Sequence, residues 1–567
     1  MPYFGPYLEP DLTNLSIWQW LFEHGKDEGA TQGSTAVSTP PSQQPGFKDA
    51  TTSEFISFAE LKDAAVYASA ALASLFDLQA GDTVAIVSRN SISYPVAMFA
   101  AGRLNAVVTL LPPETSSQDL IHYLRASRAK VVFTDSSALA RVRTACGKVS
   151  LADERAVLID DGTNSGNRQT LKGLVESGKF LGSATLRRAA PGLVGSAAAT
   201  CAFLSFSSGT TGKPKAVMIS HANVISQLRQ MRQLAPMGEH RSVLGILPFY
   251  HITGLVHLLH LPLVLHQDLL VMPKFEMRTM MEAIVKYRCN ELWLVPPLLV
   301  RLLNDPQAQG YDLGFVKQFN TGAAPLAEQI VTQLAGRFPQ VALRQAWGMT
   351  ESTSCLTVTP GGLMTWGNAA KVGKLVPGTE MRVVNPDTGK DVPLGHQGEL
   401  WVRGPQVTMG YLDSPQLTAD AYDKDGFLHT GDIGVVDAEG FLTIKDRIKE
   451  MIKVKGHGVA PAEIEDVLLG HPSVADAAVI GIDDIYSGEL PRAYVVLQPS
   501  VARQSLDVAQ DLIDFVKSQK PRHKWLAGGV EFLDVIPKSA SGKILRRVLK
   551  CQWKESSSGK SVVAAKL

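Results

Sequence analysis

Between Ser205 and Val217 the chain reads SFSSGTTGKPKAV, which crowds hydroxyls, glycines and lysines into one short stretch. That composition suits a phosphate. Ser207, Ser208, Thr210 and Thr211 supply hydroxyl donors, Gly209 and Gly212 permit a tight backbone with converging N–H groups, and Lys215 adds charge. It is not the common nucleotide phosphate loop: Ser207 stands where that pattern has its first glycine, and Pro214 follows Lys213 where it has Ser or Thr. A second cationic stretch, PKSASGKILRR, places Lys543 beside Arg546, Arg547 and Lys550 at a basic C-terminal helix.

The elements around the loop set its expected geometry. An apolar strand, Thr200–Phe206, precedes it and a helix reads from His221 to Gln230. The expectation is therefore strand, Gly-rich turn, helix, with free N–H groups facing an anion. Upstream, short β-rich runs (Thr83–Ser88, Val107–Leu111, Lys130–Thr134) alternate with helical spacing over Pro95–Leu104, which predicts parallel sheets covered by helices. From 380 to 445, short strands with turn signals predict a β-rich subdomain. From about 450 an α+β unit follows, with a helix after Pro461, strands at Ala477–Ile482 and Ala493–Leu497, a helix at Ser505–Lys517 and a strand at Val530–Val535. The charged run 445–456 is the natural boundary. Residues 25–50 read as a solvated linker or long loop.

Composition excludes several classes. A chain of 567 residues exceeds one core, and 45% apolar against 19% charged residues is a globular balance. The net charge of +1 offers no field to recruit nucleic acid or anionic lipid. The five cysteines form no CxxC pair, which argues against a zinc site or disulfide framework and suits a reducing compartment. No basic region followed by an apolar run opens the chain, so no secretory signal is expected. Val243–Leu265 is apolar enough to raise a membrane span, but Pro248, Pro262 and three histidines favour buried core and no span.

The loop is one of eight motifs in a fixed order. The others are LPFYHITG (247–254), NTGAAPL (320–326), QAWGMTES (345–352), GELWVRGPQVTMGYL (398–412), GFLHTGDIG (426–434), DRIKEMIKVKGHGVAPAEIE (446–465) and PKSASGKILRR (537–547). Together they cover about 50–550 and resemble the adenylate-forming superfamily, in the style of its 4-coumarate–CoA ligase-like branch. The resemblance implies an α/β adenylating-enzyme (ANL) fold. Residues 1–445 would form a large N-terminal domain of two parallel-type αβαβα subdomains plus a β-rich part at about 375–445. Residues 446–449 would be a hinge, 450–553 a small mobile α+β domain, and 554–567 a tail.

It also implies the chemistry: ATP and Mg²⁺ activate a carboxylic acid as acyl-AMP, and coenzyme A then takes the acyl group. The 205–217 loop would wrap the β- and γ-phosphates. Thr350 matches the α-phosphate contact and Glu351 the Mg²⁺ ligand, following Gln345, Ala346, Trp347 and Gly348 at the adenine. Trp347 stands where the family has tyrosine, so the stacking face is kept and a hydroxyl contact is lost. Asp432 matches the ribose acceptor, Arg447 also reaches the ribose, and Lys449 belongs to the hinge. Lys543 would bring a cation to the α-phosphate in the first half-reaction. For the second, Lys274, Lys453, Lys455 and Gly456 match CoA contacts, with the loop Val454–Val459, and His251 matches the gate to the thiol tunnel. Gly458 replaces the usual glutamine.

Carried across, the acyl pocket comprises Thr253, His257, Asn320, Ala323, Ala346, Ser354, Cys355 and Val358. Thr253 and His257 replace an aromatic and a small residue, so coumarate itself is not the expected acid. A substituted aryl, medium-chain or functionalised short-chain acid fits better. The chain ends Ala565-Lys566-Leu567, one substitution from the peroxisomal Ser-Lys-Leu address. That implies an import receptor as partner and a peroxisomal site in a eukaryotic, fungal source, with a cytoplasmic one as the alternative. The competing functions are an acyl-AMP ligase that loads a carrier protein, a luciferase-like oxygenase and a catalytically dead scaffold.

Overall fold

The computed structural model describes residues 2–11, 13–24, 45–160, 168–182, 185–186, 192–207, 214–235, 241–324, 326, 328–455, 457–498, 501, 506–539 and 542–557. Four sheets organise it. A six-stranded sheet runs Ala156–Leu158, Ala129–Thr134, Thr83–Val87, Val107–Leu111, Cys201–Ser207 and Lys215–Ser220. All neighbours are parallel except the last pair. Its strand Thr83–Val87 is buried at every position, as a parallel strand between helical layers must be.

The nine-stranded sheet carries the chemistry. Its parallel centre orders Ala342–Met349, Gln318–Thr321, Glu291–Trp293, Ser242–Gly245, Asp268–Val271 and Gly46–Asp49. Ser354–Val358 turns back antiparallel beside Ala342–Met349. The turn is tight because a Cβ on Gly348 would collide with the Ser354 carbonyl oxygen. An antiparallel five-stranded sheet joins Tyr3–Phe4, Glu380–Val384, Gly398–Arg403, Leu428–Val436 and Leu442–Arg447. The C-terminal sheet joins His457–Val459, Ile452–Val454, Gly488–Leu497 and Val474–Asp484, with Val530–Phe532 alongside. This α/β arrangement is the expected adenylating-enzyme architecture.

Several expectations need correction. Gly46–Asp49 is a buried strand of the nine-stranded sheet rather than the end of a linker; residues 25–44 lie outside the described residues. The phosphate-type loop does not run into a helix. Lys215–Ser220 forms a strand antiparallel to Cys201–Ser207, so 208–213 join the two arms of a hairpin and the helix His221–Leu234 begins only afterwards. The sequence KAVMIS holds a short continuous apolar run with β-branched Val217 and Ile219, which suits a strand over a first helical turn. The C-terminal strands Val474–Asp484 and Gly488–Leu497 are longer than expected because they form a continuous hairpin. The strand at Val530 ends at Phe532, and Val535 is 73% exposed.

The apolar stretch at Val243–Leu265 is core. It comprises a strand, a π-helical turn Gly254–His260 and a short helix Leu261–Leu265. Pro262 has no N–H to give, and the Leu261 N–H reaches back five residues to the Val256 carbonyl. Among the described residues no helix is long and apolar enough to cross a membrane.

Candidate active site

Three strand ends and one turn from the C-terminal unit converge. The base of the 205–217 loop is described even though Ser208, Gly209, Thr210, Thr211 and Gly212 lie outside the described residues. Ser207 and Lys215 face each other across the hairpin. The Ser207 hydroxyl donates to Glu351 Oε1 at 3.1 Å, and the Tyr411 hydroxyl donates to the same oxygen at 3.0 Å. Lys215 Nζ sits 5.2 Å from the Tyr411 ring centroid. The loop base and the turn Thr350–Ser352 are thus tied through one carboxylate, and Tyr411 was not singled out from sequence. Both bonds fall on Oε1, and one carboxylate of this kind, joined by phosphate oxygens of a substrate, is a ligand set that Mg²⁺ accepts. Among the described residues no cluster of three or more His, Cys, Asp or Glu could hold a metal without such a phosphate.

Trp347 and Asp432 meet directly. The indole Nε1–H donates to Asp432 Oδ2 at 2.8 Å, while Arg447 Nε lies 2.9 Å from Oδ1. Asp432 and Arg447 are cross-strand partners at the end of the five-stranded sheet, which sets their register. The tryptophan therefore supplies the polar handle that its lack of a hydroxyl put in doubt. Gln345 turns away, donating to the Ala369 carbonyl. Lys449 is exposed on the turn that follows Arg447.

Lys543 stands on a tight turn. Lys538 and Ile544 bridge, the Ser539 N–H donates to the Lys543 carbonyl at 2.8 Å, and the Lys543 N–H donates to Ser539 Oγ at 3.1 Å. Gly542 takes φ +81° on this turn, where a Cβ would lie 3.1 Å from Pro297 Cδ of the N-terminal part. The turn thereby docks against the large domain. Burial, then the charge of Arg447, pulls the Lys543 ammonium down to about 8, and Asp432, Glu450 and Glu351 oppose that fall. Behind it, Arg546 Nη2 donates to both Glu465 carboxylate oxygens at 2.7 and 2.8 Å, anchoring the turn to the C-terminal core.

A cleft of about 590 Å³ opens beside this turn, lined by Lys274, Arg89, Lys538, Tyr250 and Gly542 among others. Lys453 and Lys455 do not line it. They stand on the hairpin Ile452–Val454 to His457–Val459, where Lys455 Nζ lies 4.4 Å from the Tyr486 ring centroid; Gly456 lies outside the described residues. His251 is half-buried, with its Nε2 buried and unpartnered, and desolvation lowers its pKa to about 4, so it is neutral near pH 7.

A separate cavity of about 140 Å³ includes His257, Asn320, Ala346, Cys355 and Val358 from the expected acyl pocket. Thr253, Ala323 and Ser354 do not line it, although Ser354 Oγ lies 3.0 Å from His257 Nε2. Arg241, Glu291, Trp293, Gln318 and Arg344 line it too, and sequence reading missed them. Their signal was the alternation Glu291-Leu292-Trp293, Gln318-Phe319-Asn320 and Leu343-Arg344. It places polar side chains on one face of strands expected to be apolar on both. Ala565, Lys566 and Leu567 lie outside the described residues.

The hairpin base at Ser207 and Lys215, the carboxylates of Glu351 and Asp432, the half-buried Lys543 from the C-terminal unit and the 140 Å³ cavity lie in segments whose family can be identified. The AMP-binding enzyme family model matches residues 35–412 and that of the AMP-binding enzyme C-terminal domain matches 463–543, so the chain belongs to the AMP-binding enzyme family. It is similar to 4-coumarate-CoA ligase 2 of Narcissus pseudonarcissus, 34% identical over 96% of this chain and 93% of that protein. It is also similar to peroxisomal OPC-8:0-CoA ligase 1 of Arabidopsis thaliana, 35% identical over 89% of each chain. Among solved structures, ATP-bound MatB from Rhodopseudomonas palustris superposes with a TM-score of 0.80 at 26% identity, covering 95% of this chain and 99% of that one.

Proposed function

We propose that the chain is an AMP-forming acid–CoA ligase acting on an aryl, medium-chain or functionalised short-chain acid. The observation that carries the reading is the placement of Lys543, on a C-terminal turn, within the field of Glu351, Asp432 and Arg447. Ser207, Lys215 and the loop between them hold the β- and γ-phosphates, Thr350 contacts the α-phosphate, and Asp432 with Arg447 orients the ribose. Trp347, with Ala346 and Gly348, forms the adenine wall and fixes Asp432 through its N–H. Glu351 would hold Mg²⁺, which supplies charge neutralisation at the phosphates when bound.

In the first half-reaction a carboxylate oxygen of the acid bonds to the α-phosphorus and the bond to the pyrophosphate oxygen breaks. Lys543 places positive charge where the transition state gathers negative charge. In the second, the thiolate of CoA attacks the acyl carbon and AMP leaves. The cations Lys274, Arg89 and Lys538 around the 590 Å³ cleft suit CoA phosphates, and neutral His251 gates the passage. Rotation on the 446–449 hinge would then carry Lys453, Lys455 and Gly456 to that side. The tail's near-match to a peroxisomal address, and a fungal source, belong to the same reading.

The test is direct. Pyrophosphate release and acyl-CoA formation are followed with ATP, Mg²⁺, CoA and a panel of aryl, branched, hydroxylated and straight-chain acids. Thioester on a carrier protein but never on CoA would favour the acyl-AMP ligase alternative.

A further inference from the structure

The 140 Å³ cavity is unlike a greasy acyl slot where Arg241, Glu291 and Arg344 line it. Arg344 lies there, 8% exposed, with Nη2 donating to the Leu234 carbonyl at 3.0 Å and Nε without a partner. Arg241 pairs with Glu291 at 3.1 Å and donates to Gln318 at 2.8 Å, and its Nε is likewise unpartnered. Glu291 makes no hydrogen bond to Arg344: Arg241 donates to Oε2, while Asn320 and Trp293 donate to Oε1 at 2.8 and 3.2 Å. His257 is held neutral near pH 7, its pKa lowered to about 3 by burial and then by Arg344. Burial likewise raises the Cys355 thiol to about 11, so it too is uncharged. Two guanidinium groups against one carboxylate leave the lining with one positive charge in excess.

A buried cation with unused donors is costly unless something answers it, and a fork of N–H groups is best answered by an oxyanion. The apolar alternates Leu292, Phe319 and Leu343, all buried, turn to the opposite face of the same strands, so the charge is confined to the cavity side. We propose that this part of the cavity is an oxyanion subsite: the acid carries a second carboxylate, remote from the reacting one, which Arg344 receives with Arg241 beside it. Building on the ligase reading, this names the substrate class of the acyl site.

Size and reach narrow the class. A cavity of this volume takes about one benzene ring or an equivalent run of methylenes. Arg344 precedes Thr350 by six residues, roughly 20 Å of strand, and side-chain reach from both ends leaves a carboxyl-to-carboxyl span on the order of 10 Å. Octanedioic acid and 4-carboxycinnamic acid have that span.

The experiment pairs each diacid with an analogue whose remote carboxylate is replaced by an alkyl group, octanedioic with nonanoic acid and 4-carboxycinnamic with 4-isopropylcinnamic acid, and adds 4-hydroxycinnamic acid, whose remote group is polar but uncharged. Binding to the full-length protein is read by calorimetry and pyrophosphate release is read with ATP. The diacids are expected to bind at least 10-fold tighter than their alkyl analogues and to be favoured by a like factor in kcat/KM. Arg344→Met should abolish or invert that ratio, with folding checked by Tm. Glu291→Gln, which adds to the positive excess, should widen it and serves if the first variant is unstable. Equal or tighter binding of the alkyl analogues, a preference for 4-hydroxycinnamic acid over the diacids, or a ratio unmoved by both variants would overturn the subsite. Tight diacid binding with no pyrophosphate release would keep the subsite and count against the ligase reading instead.

Discussion

The indole Nε1–H of Trp347 donates a 2.8 Å hydrogen bond to the carboxylate of Asp432, joining strand Ala342–Met349 of the nine-stranded sheet to strand Leu428–Val436 of the five-stranded one. Both residues are buried, at 8% and 4% exposure, so the bond is shielded from competing water. It fixes the carboxylate that the proposed ribose site needs and replaces a hydroxyl contact by an N–H.

Trp347→Phe keeps an aromatic face and removes that donor. A hydrogen bond to a charged group contributes about 1.5–3 kcal/mol, so kcat/KM for ATP should fall by roughly 10-fold or more while the acid's own binding is little changed. Steady-state kinetics with each substrate varied in turn would show the split. An unchanged ATP dependence would mean that the bond does not position the nucleotide.

Lys543 should work only as the ammonium. Its pKa lies near 8 in the free protein, below the ordinary lysine value, so the charged fraction is full below that pH and lost as pH rises through it. The adenylation kcat/KM should therefore decline above about pH 8. The kcat limb should lie at higher pH, because bound polyphosphate favours the charged form. Lys543→Ala should lose pyrophosphate exchange yet retain thioester formation from supplied acyl-AMP. Equal loss of both half-reactions would contradict that division.

Glu351 collects donors from Ser207 and Tyr411 on one oxygen. Glu351→Gln retains an acceptor for both, so Tm should hold within a few degrees while ATP-dependent exchange drops by about 100-fold and needs more Mg²⁺. A magnesium titration of wild type and variant would measure it. Loss of stability in step with activity would point to a structural role.

The Arg546–Glu465 pair sits at 13% and 9% side-chain exposure beneath the Lys543 turn. Removing one partner leaves a buried charge, and Glu465→Ala should destabilise the C-terminal unit by about 3–5 kcal/mol. Replacing both, Arg546→Met with Glu465→Leu, should recover most of that. Denaturant unfolding of the full chain would detect the difference.

Much of this was legible in the residues because backbone pattern is local. TVAIV, KVVFT and PAEIEDVLL form the elements that their periodicity predicts, and the proposed nucleotide positions lie in motifs with rigid spacing. Tertiary pairing was not legible. Whether KAVMIS opens a helix or closes a hairpin depends on Cys201–Ser207 lying alongside. The charges of the 140 Å³ cavity were hidden for the same reason. Arg241, Glu291 and Arg344 are far apart in sequence, and only the parallel register of Ser242–Gly245, Glu291–Trp293, Gln318–Thr321 and Ala342–Met349 brings them to one cavity.

The most direct measurement is the product balance of one incubation. Purified protein with ATP, Mg²⁺, CoA and an accepted acid should give acyl-CoA, AMP and pyrophosphate in equal amounts by mass spectrometry, with acyl-AMP accumulating when CoA is left out. ADP and phosphate in place of AMP and pyrophosphate, or acyl-AMP that never passes to CoA, would contradict assignment as an AMP-forming acid–CoA ligase.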